Sequence, residues 1–286
     1  SLSLCVCVCV CVCVCVCVSL THTRTRAHAH TGLRRRGYTP TAINTFCKGL
    51  GVARSSNTVC VSKNVLENCI RNELDATAHR CFACLKPIKV TIANHKPVPL
   101  CNIPNHPANK ELGTRTMEFS PVVYIDSSDF RETESKDYFG LAPGKTVRLL
   151  HAYDITCKEV KKSNGVVTEL VCEFDVNSLK EKPPKGKIGW VSETAVPCTV
   201  NVYSELFHNC EIESEDGKIK EVSAEEAAAI MSKKLGRKVD YIENFNPNSL
   251  EVCAGALVES HAAKQPPLTH YQFTRMGYYV TDKIST

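Results

Sequence analysis

Three consecutive arginines, Arg34, Arg35 and Arg36, stand directly ahead of a well-formed helix start in TGLRRRGYTPTAINTFCKGLGV, residues 31–52. Guanidinium forks match phosphate oxygens, so the triplet is compatible with anion contact. A solvated or salt-bridged turn is the plainer reading and the one these residues alone favour. Cys81 and Cys84 form a lone C-x-x-C in CFAC. Zinc needs four ligands, and no second cysteine pair or paired histidines lie at a usable spacing. A redox motif would need a βαβ context that the flanking residues do not offer. Two small thiols at a helix-to-strand junction are expected instead. His22, His28 and His30 fall in an N-terminal repeat, and the other histidines form no H-E-x-x-H or H-x-x-E-H group. No metal site is therefore expected. The chain also lacks G-x-x-x-x-G-K-[ST], a G-x-G-x-x-G after a strand, and G-x-S-x-G. Nothing from residue 31 onward reads as a nucleotide-binding α/β domain, and no catalytic residue is expected.

Bulk properties fit a globular chain. Of 286 residues, 43% are hydrophobic and 23% charged, enough for one large or two ordinary domains. The net charge is +5; with Arg24 and Arg26 of the repeat set aside, 33 basic residues face 30 acidic ones. So small a surplus does not argue for nucleic acid by itself, and local clustering would have to. Seven of the 18 cysteines lie in CVCVCVCVCVCVCV, residues 5–18. The remaining eleven show no framework spacing and read as reduced thiols of a cytosolic protein. Residues 1–30 look like translated dinucleotide repeats and are expected to be a disordered, low-complexity leader. Their apolar run, Leu4 to Val18, is shorter than the roughly 20 residues of a membrane span and has no basic segment ahead of it.

The elements that must position these groups change character along the chain. Thr39 suits a helix cap and Pro40 a first turn, with Ala42, Ile43, Phe46 and Leu50 on one face. A second helix is expected where Val65, Leu66, Cys69, Ile70 and Leu74 form a stripe behind Ser62. From Lys86 the period becomes two, in KPIKVTIAN, SPVVYIDSSDF, KTVRLLHAYDITCKEV and VVTELVCEFD among others, separated by turns such as APGK and KSNGV. Many short strands with few helices between them suggest barrels or a sandwich. One helix interrupts, SAEEAAAIMSKKLG, capped by Ser223 with Glu226 and ended at Gly236.

Taken together and in order, LRRRGYTPTAINTFCKGLGV, LENCIRNELDATAHRCFACLKPIKVTI, IPNHPANKELGTR, YIDSSDFRE, LAPGKTVRLLHAY, GWVS, VYSELF and QFTRMGYY resemble the C-terminal half of glutaminyl-tRNA synthetases. The resemblance implies a fold that is mainly β with a small α subdomain, containing two antiparallel β-barrels of the anticodon-binding type. Its expected parts are the leader 1–30, a helical connecting subdomain 31–85 and the barrels 86–286. The inserted barrel would span about 101–196; the outer one would combine about 86–100 with 197–286 and carry a helical insertion at about 223–236. It implies a partner, the glutamine isoacceptors of tRNA, and a cytoplasmic place in translation, with neither DNA nor membrane involved and other synthetases left open as partners. ATP with magnesium would serve the parent ligase, whose catalytic domain would precede this region; none is expected on this chain. A further strand would follow Thr286. MSKK, Met231 to Lys234, resembles the lysine signature that class I synthetases use on ATP, but a capped helix end is the favoured reading there. A stand-alone RNA-binding barrel and the anticodon region of a glutamyl-tRNA ligase remain alternatives.

Carried over by motif, the base-reading residues would be Arg80, Arg148, Gln272, Arg275 and Asn109 (or Ala108 in its place). Unstacked RNA bases are read on their edges by such forks and amides. Two departures stand out. Asp137-Tyr138-Phe139-Gly140-Leu141 replaces Q-Y-K-R-L, and Leu150 replaces the second arginine of V-R-L-R. Lys136, Lys145 or His151 would have to compensate.

Overall fold

The computed structural model describes residues 2–7, 32–50, 63–133, 135, 137–180, 182–204, 206, 211–213, 219–221, 229, 232–233, 236–238, 243 and 245–282. Strand β1 (Leu2–Cys7) is followed by helices α1 (Pro40–Leu50) and α2 (Lys63–Thr77). Next come β2 (His79–Cys81), β3 (Ala83–Cys84), β4 (Pro87–Ile92), and a hairpin of β5 (Cys101–Pro104) with β6 (Thr114–Met117). Then follow β7 (Val122–Asp126), β8 (Thr146–Leu149), β9 (Asp154–Ser163), β10 (Val166–Asp175), β11 (Lys187–Ile188) and β12 (Val191–Ser192). The chain continues through β13 (Val196–Tyr203), β14 (Glu211–Glu213), β15 (Ile219–Glu221), β16 (Leu250–Val258), the short α3 (Ser260–Ala263), β17 (His270–Phe273) and β18 (Gly277–Thr281).

The helical start obeys its local rules. The Thr39 hydroxyl accepts the Ala42 amide at 3.1 Å, the expected cap, and donates to Glu73 of α2 at 2.6 Å. Leu66, Ile70 and Leu74 recur every four residues on α2 and are buried against Tyr38, Ala42 and Tyr278. Ser62 lies outside the described residues, as does most of the helix expected at 223–236.

Two seven-stranded sheets carry the rest. Sheet I runs β2-β17-β18-β1-β13-β16-β3, and sheet II runs β11-β8-β9-β10-β4-β7-β12. In each, the two end strands are neighbours in sequence. Flat, seven strands would be about 29 Å across at about 4.8 Å per strand. Yet Ile188 of β11 and Val191 of β12 are three chain steps apart, at most about 11 Å, and Cys81 and Ala83 only two. Both sheets therefore curl until their ends approach. Trp190, fully buried at that seam of sheet II, packs with Phe119, and Tyr153 and Phe174 complete a ring cluster with centroids 5.2–5.8 Å apart.

Four expectations change. The sheets are mixed rather than antiparallel: β10–β4, β11–β8, β17–β2 and β1–β13 pair in parallel. Each parallel partner returns after a long excursion of chain, as parallel pairing requires. The strand 87–92, expected in the outer unit, instead pairs with β7 and β10 in sheet II, burying Ile88, Val90 and Ile92 in that core. Residues 79–84, assigned to the helical subdomain, supply the end strands of sheet I. Finally, residues 2–7 of the expected disordered leader form a strand between β13 and β18, where alternating backbone groups of both neighbours take up its hydrogen bonds.

The segment Cys81–Cys84 ties the sheets together. Cys81 and Ala83 enter the core of sheet I, while Phe82 and Cys84 enter that of sheet II. Beside it lies a buried ion pair, Arg115 to Glu259 at 2.8 Å, with both side chains at most 5% exposed. Glu259 also accepts the Phe82 amide at 3.1 Å, so strand β6, the end of β16 and the crossover segment share one carboxylate.

Candidate nucleic-acid interface

The end of α2 and the first strands of sheet I build one group of candidate residues. Arg80 on β2 and Gln272 on β17 are register partners in a parallel pair, so their side chains leave the sheet on the same face. Tyr278 of β18 stands opposite Gln272 on that face. Arg80 is not waiting for a ligand: its Nη2 donates to the Asp75 carboxylate at 2.7 Å and to the Asp75 carbonyl at 3.0 Å, closing the C-terminus of α2. Tyr278 donates to the same carboxylate at 3.3 Å; burial first, then Asp75, pushes its pKa up. Asn109 reaches this group indirectly. Its side chain caps a short 3-10 turn by accepting the Glu111 amide, and its own amide donates to His106 Nδ1 at 2.8 Å. That fixes the tautomer in which His106 Nε2 donates to the Asp75 carbonyl, 2.8 Å away.

Arg148 and Arg275 form a second group, at the junction of the sheets. Arg148 on β8 lies across from Lys187 of β11. Its guanidinium holds both oxygens of Asp154 and the Ser178 carbonyl, leaving it only 12% exposed. Arg275 occupies the turn between β17 and β18 with φ +70°, a left-handed conformation that turns its side chain out of the strand direction. Its Nη1 donates to the Lys187 carbonyl and pairs with Asp129 at 3.1 Å. At 45% exposure, Arg275 presents more of its side chain to solvent than Arg80 or Arg148 does. Asp126, Ser128, Asp129, Gly189, Thr274 and Arg275 line a polar cavity of about 130 Å³ there. Burial raises the Asp129 pKa; Arg275 pulls it back down and Asp126 pushes it up.

Sequence reasoning thus named the guanidiniums without the carboxylates that hold them. Asp154 could have been found, since it faces Arg148 across the β8–β9 hairpin. Asp129 lies 146 positions from Arg275 and left no local signal. The proposed substitutes for the lost basic groups differ in their surroundings. Lys145 donates to the Tyr138 carbonyl. His151, at φ +61°, has its pKa lowered by burial and then by Arg115. Lys136 lies outside the described residues. In the arginine triplet, the salt-bridged reading holds for Arg35, which meets Asp282 at 2.6 Å, while the Arg36 guanidinium lies 5.8 Å from the Tyr203 ring centre. Cys81 and Cys84, in different cores, share no site.

The family described as "tRNA synthetases class I (E and Q), anti-codon binding domain" matches this chain twice, over residues 78–175 and 187–282. The chain belongs to that family. It is 37% identical over 260 residues to the probable glutamine–tRNA ligase of Dictyostelium discoideum, a stretch covering 88% of this chain and 30% of that protein. Glutamine–tRNA ligases of Serratia proteamaculans and Pseudomonas aeruginosa are 38% and 36% identical, over 88% of this chain and 42% and 43% of theirs. The chain thus spans less than half the length of these relatives. In this synthetase family member, the two matched regions interleave in space. Each sheet takes strands from both regions, and the Arg80–Gln272 and Arg148–Arg275 groupings each join a residue of the first to one of the second.

Proposed function

We propose that this chain is the tRNA anticodon-binding portion of a glutamine–tRNA ligase, which joins glutamine to its tRNA at the expense of ATP. The two curled sheets are read as two closed barrels that together grip the anticodon. Arg80, Asn109 and Gln272 would face one unstacked base and Arg148 with Arg275 another. What supports the reading is that Arg80 and Gln272 are register partners on adjacent strands, while Arg148 and Arg275 both adjoin Lys187, Arg275 with a half-exposed guanidinium. Their carboxylate partners would orient the forks and must yield, or share, donors when RNA arrives. ATP and magnesium would be held by the catalytic part of the ligase, and no residue of this chain is assigned to them. No helix among the described residues is long and apolar enough to cross a membrane; a cytoplasmic translation role is part of this reading.

The test is direct. The purified chain should bind a glutamine tRNA transcript saturably, and glutamine-dependent ATP–pyrophosphate exchange should be absent. Failure to bind that tRNA, or exchange activity from the chain alone, refutes the proposal.

A further inference from the structure

We propose that Phe139 is a stacking platform for an unpaired RNA base, set among cations that hold the neighbouring phosphates; this rests on the anticodon-binding reading above. Phe139, in the segment Asp137–Leu141, is 50% exposed. Its neighbours explain why it points outward. Leu141 is fully buried and donates its amide to the Asp129 carbonyl at 2.8 Å. A Cβ on Gly140 would lie 2.6 Å from that carbonyl and 2.2 Å from the Tyr138 hydroxyl. A Cβ on Gly186 would lie 2.4 Å from the Phe139 carbonyl oxygen. The backbone at 139–140 is therefore wedged between the Asp129 turn and Gly186, with no inward room for a ring.

The surroundings are cationic. The Arg131 guanidinium lies 4.4 Å from the centre of the Tyr138 ring and the Lys145 ammonium 5.7 Å from it, so two cations flank that aromatic. Gly186 sits between the exposed Lys185 and Lys187, and the Lys187 carbonyl holds Arg275. Asp137 is exposed nearby, and Glu132 is engaged by Lys162 at 2.8 Å. An exposed aromatic side chain beside Lys185 and Lys187, and next in sequence to the cation-flanked Tyr138, suits a single-stranded base, which any of the four nucleobases can provide. An apolar protein partner would have to leave these cations desolvated and unpaired.

The experiment uses glutamine tRNA carrying 2-aminopurine at each anticodon-loop position in turn. Binding to the unaltered chain should quench one position. Phe139→Leu keeps size and hydrophobicity but removes the π face; it should abolish that quench and weaken binding about 5- to 150-fold, from about 1–3 kcal/mol per stacked base. Phe139→Tyr should restore both. If the unaltered chain binds and Phe139→Leu matches it in affinity and quench, the stacking inference falls while the anticodon-binding reading stands. If the unaltered chain does not bind, both fall.

Discussion

Replacing Arg275 with alanine should separate recognition from stability. Among the described residues, only Nη1 of this side chain is engaged, by the Lys187 carbonyl and Asp129. Its Nε and Nη2 edge can serve a base. One such fork contributes about 1–3 kcal/mol of discrimination, or about 5- to 150-fold in affinity for the correct base and little for a wrong one. The cost to folding is smaller. Arg275 is 45% exposed, so its ion pair with Asp129 counts for well under about 1 kcal/mol after solvent screening. The melting temperature should move by no more than about 2–4 °C. Fluorescence anisotropy at one fixed salt concentration would compare glutamine tRNA with the same tRNA altered at single anticodon letters. Arg275→Ala should lose affinity for the first and little for the second; Arg275→Lys should keep the charge yet lose the discrimination. Equal losses on both RNAs would show that Arg275 contributes charge alone, and the division of roles argued here would be wrong.

Other outcomes follow from the same geometry. Glu259→Ala should destabilise the chain by about 3–5 kcal/mol in chemical denaturation, because it strands the Arg115 charge, whereas a paired Arg115→Met, Glu259→Met change should be close to neutral. A single-substitution loss under about 1 kcal/mol would contradict the burial of that pair. The folded-state pKa values of His79 and His261 are lowered, by burial first and then by Arg115. Their stabilising contribution is thus complete above the unfolded value of 6.5 and is lost as pH falls from there through the folded values. The urea midpoint should decline over that range, and His261→Asn should flatten the decline; an unchanged slope would remove these histidines from the argument. Arg34 is exposed where Arg35 is tied to Asp282. Arg34→Ala should therefore weaken all RNAs alike and reduce the salt slope by about one, and an anticodon-dependent effect would refute that role.

What was legible in the sequence was whatever local physics decides. The cap at Thr39 and the stripe Leu66, Ile70, Leu74 need only neighbours within a few residues. Asn164 and Gly165 of KSNGV take φ +50° and +78° and join β9 to β10 as their residue types predict. The C-x-x-C was read correctly as structural, and extended backbone explains why: residues three apart point to opposite faces, here into two cores. Strand partners were not legible. Ile88, Val90 and Ile92 announce a half-buried strand, but the same alternation would serve either sheet. The ordered motifs placed Arg80, Arg148, Gln272 and Arg275; they could not show that Asp75, Asp154 and Asp129 already hold the three arginines, because those pairings exist only once distant strands meet.

The central claim is that two curled sheets aim guanidinium and amide groups at splayed nucleotides. Its most direct measurement is the affinity of the unaltered chain for glutamine tRNA, set against variants with one anticodon letter changed at a time. At least one substitution should weaken binding about tenfold or more. Identical affinities across the whole series would contradict the account.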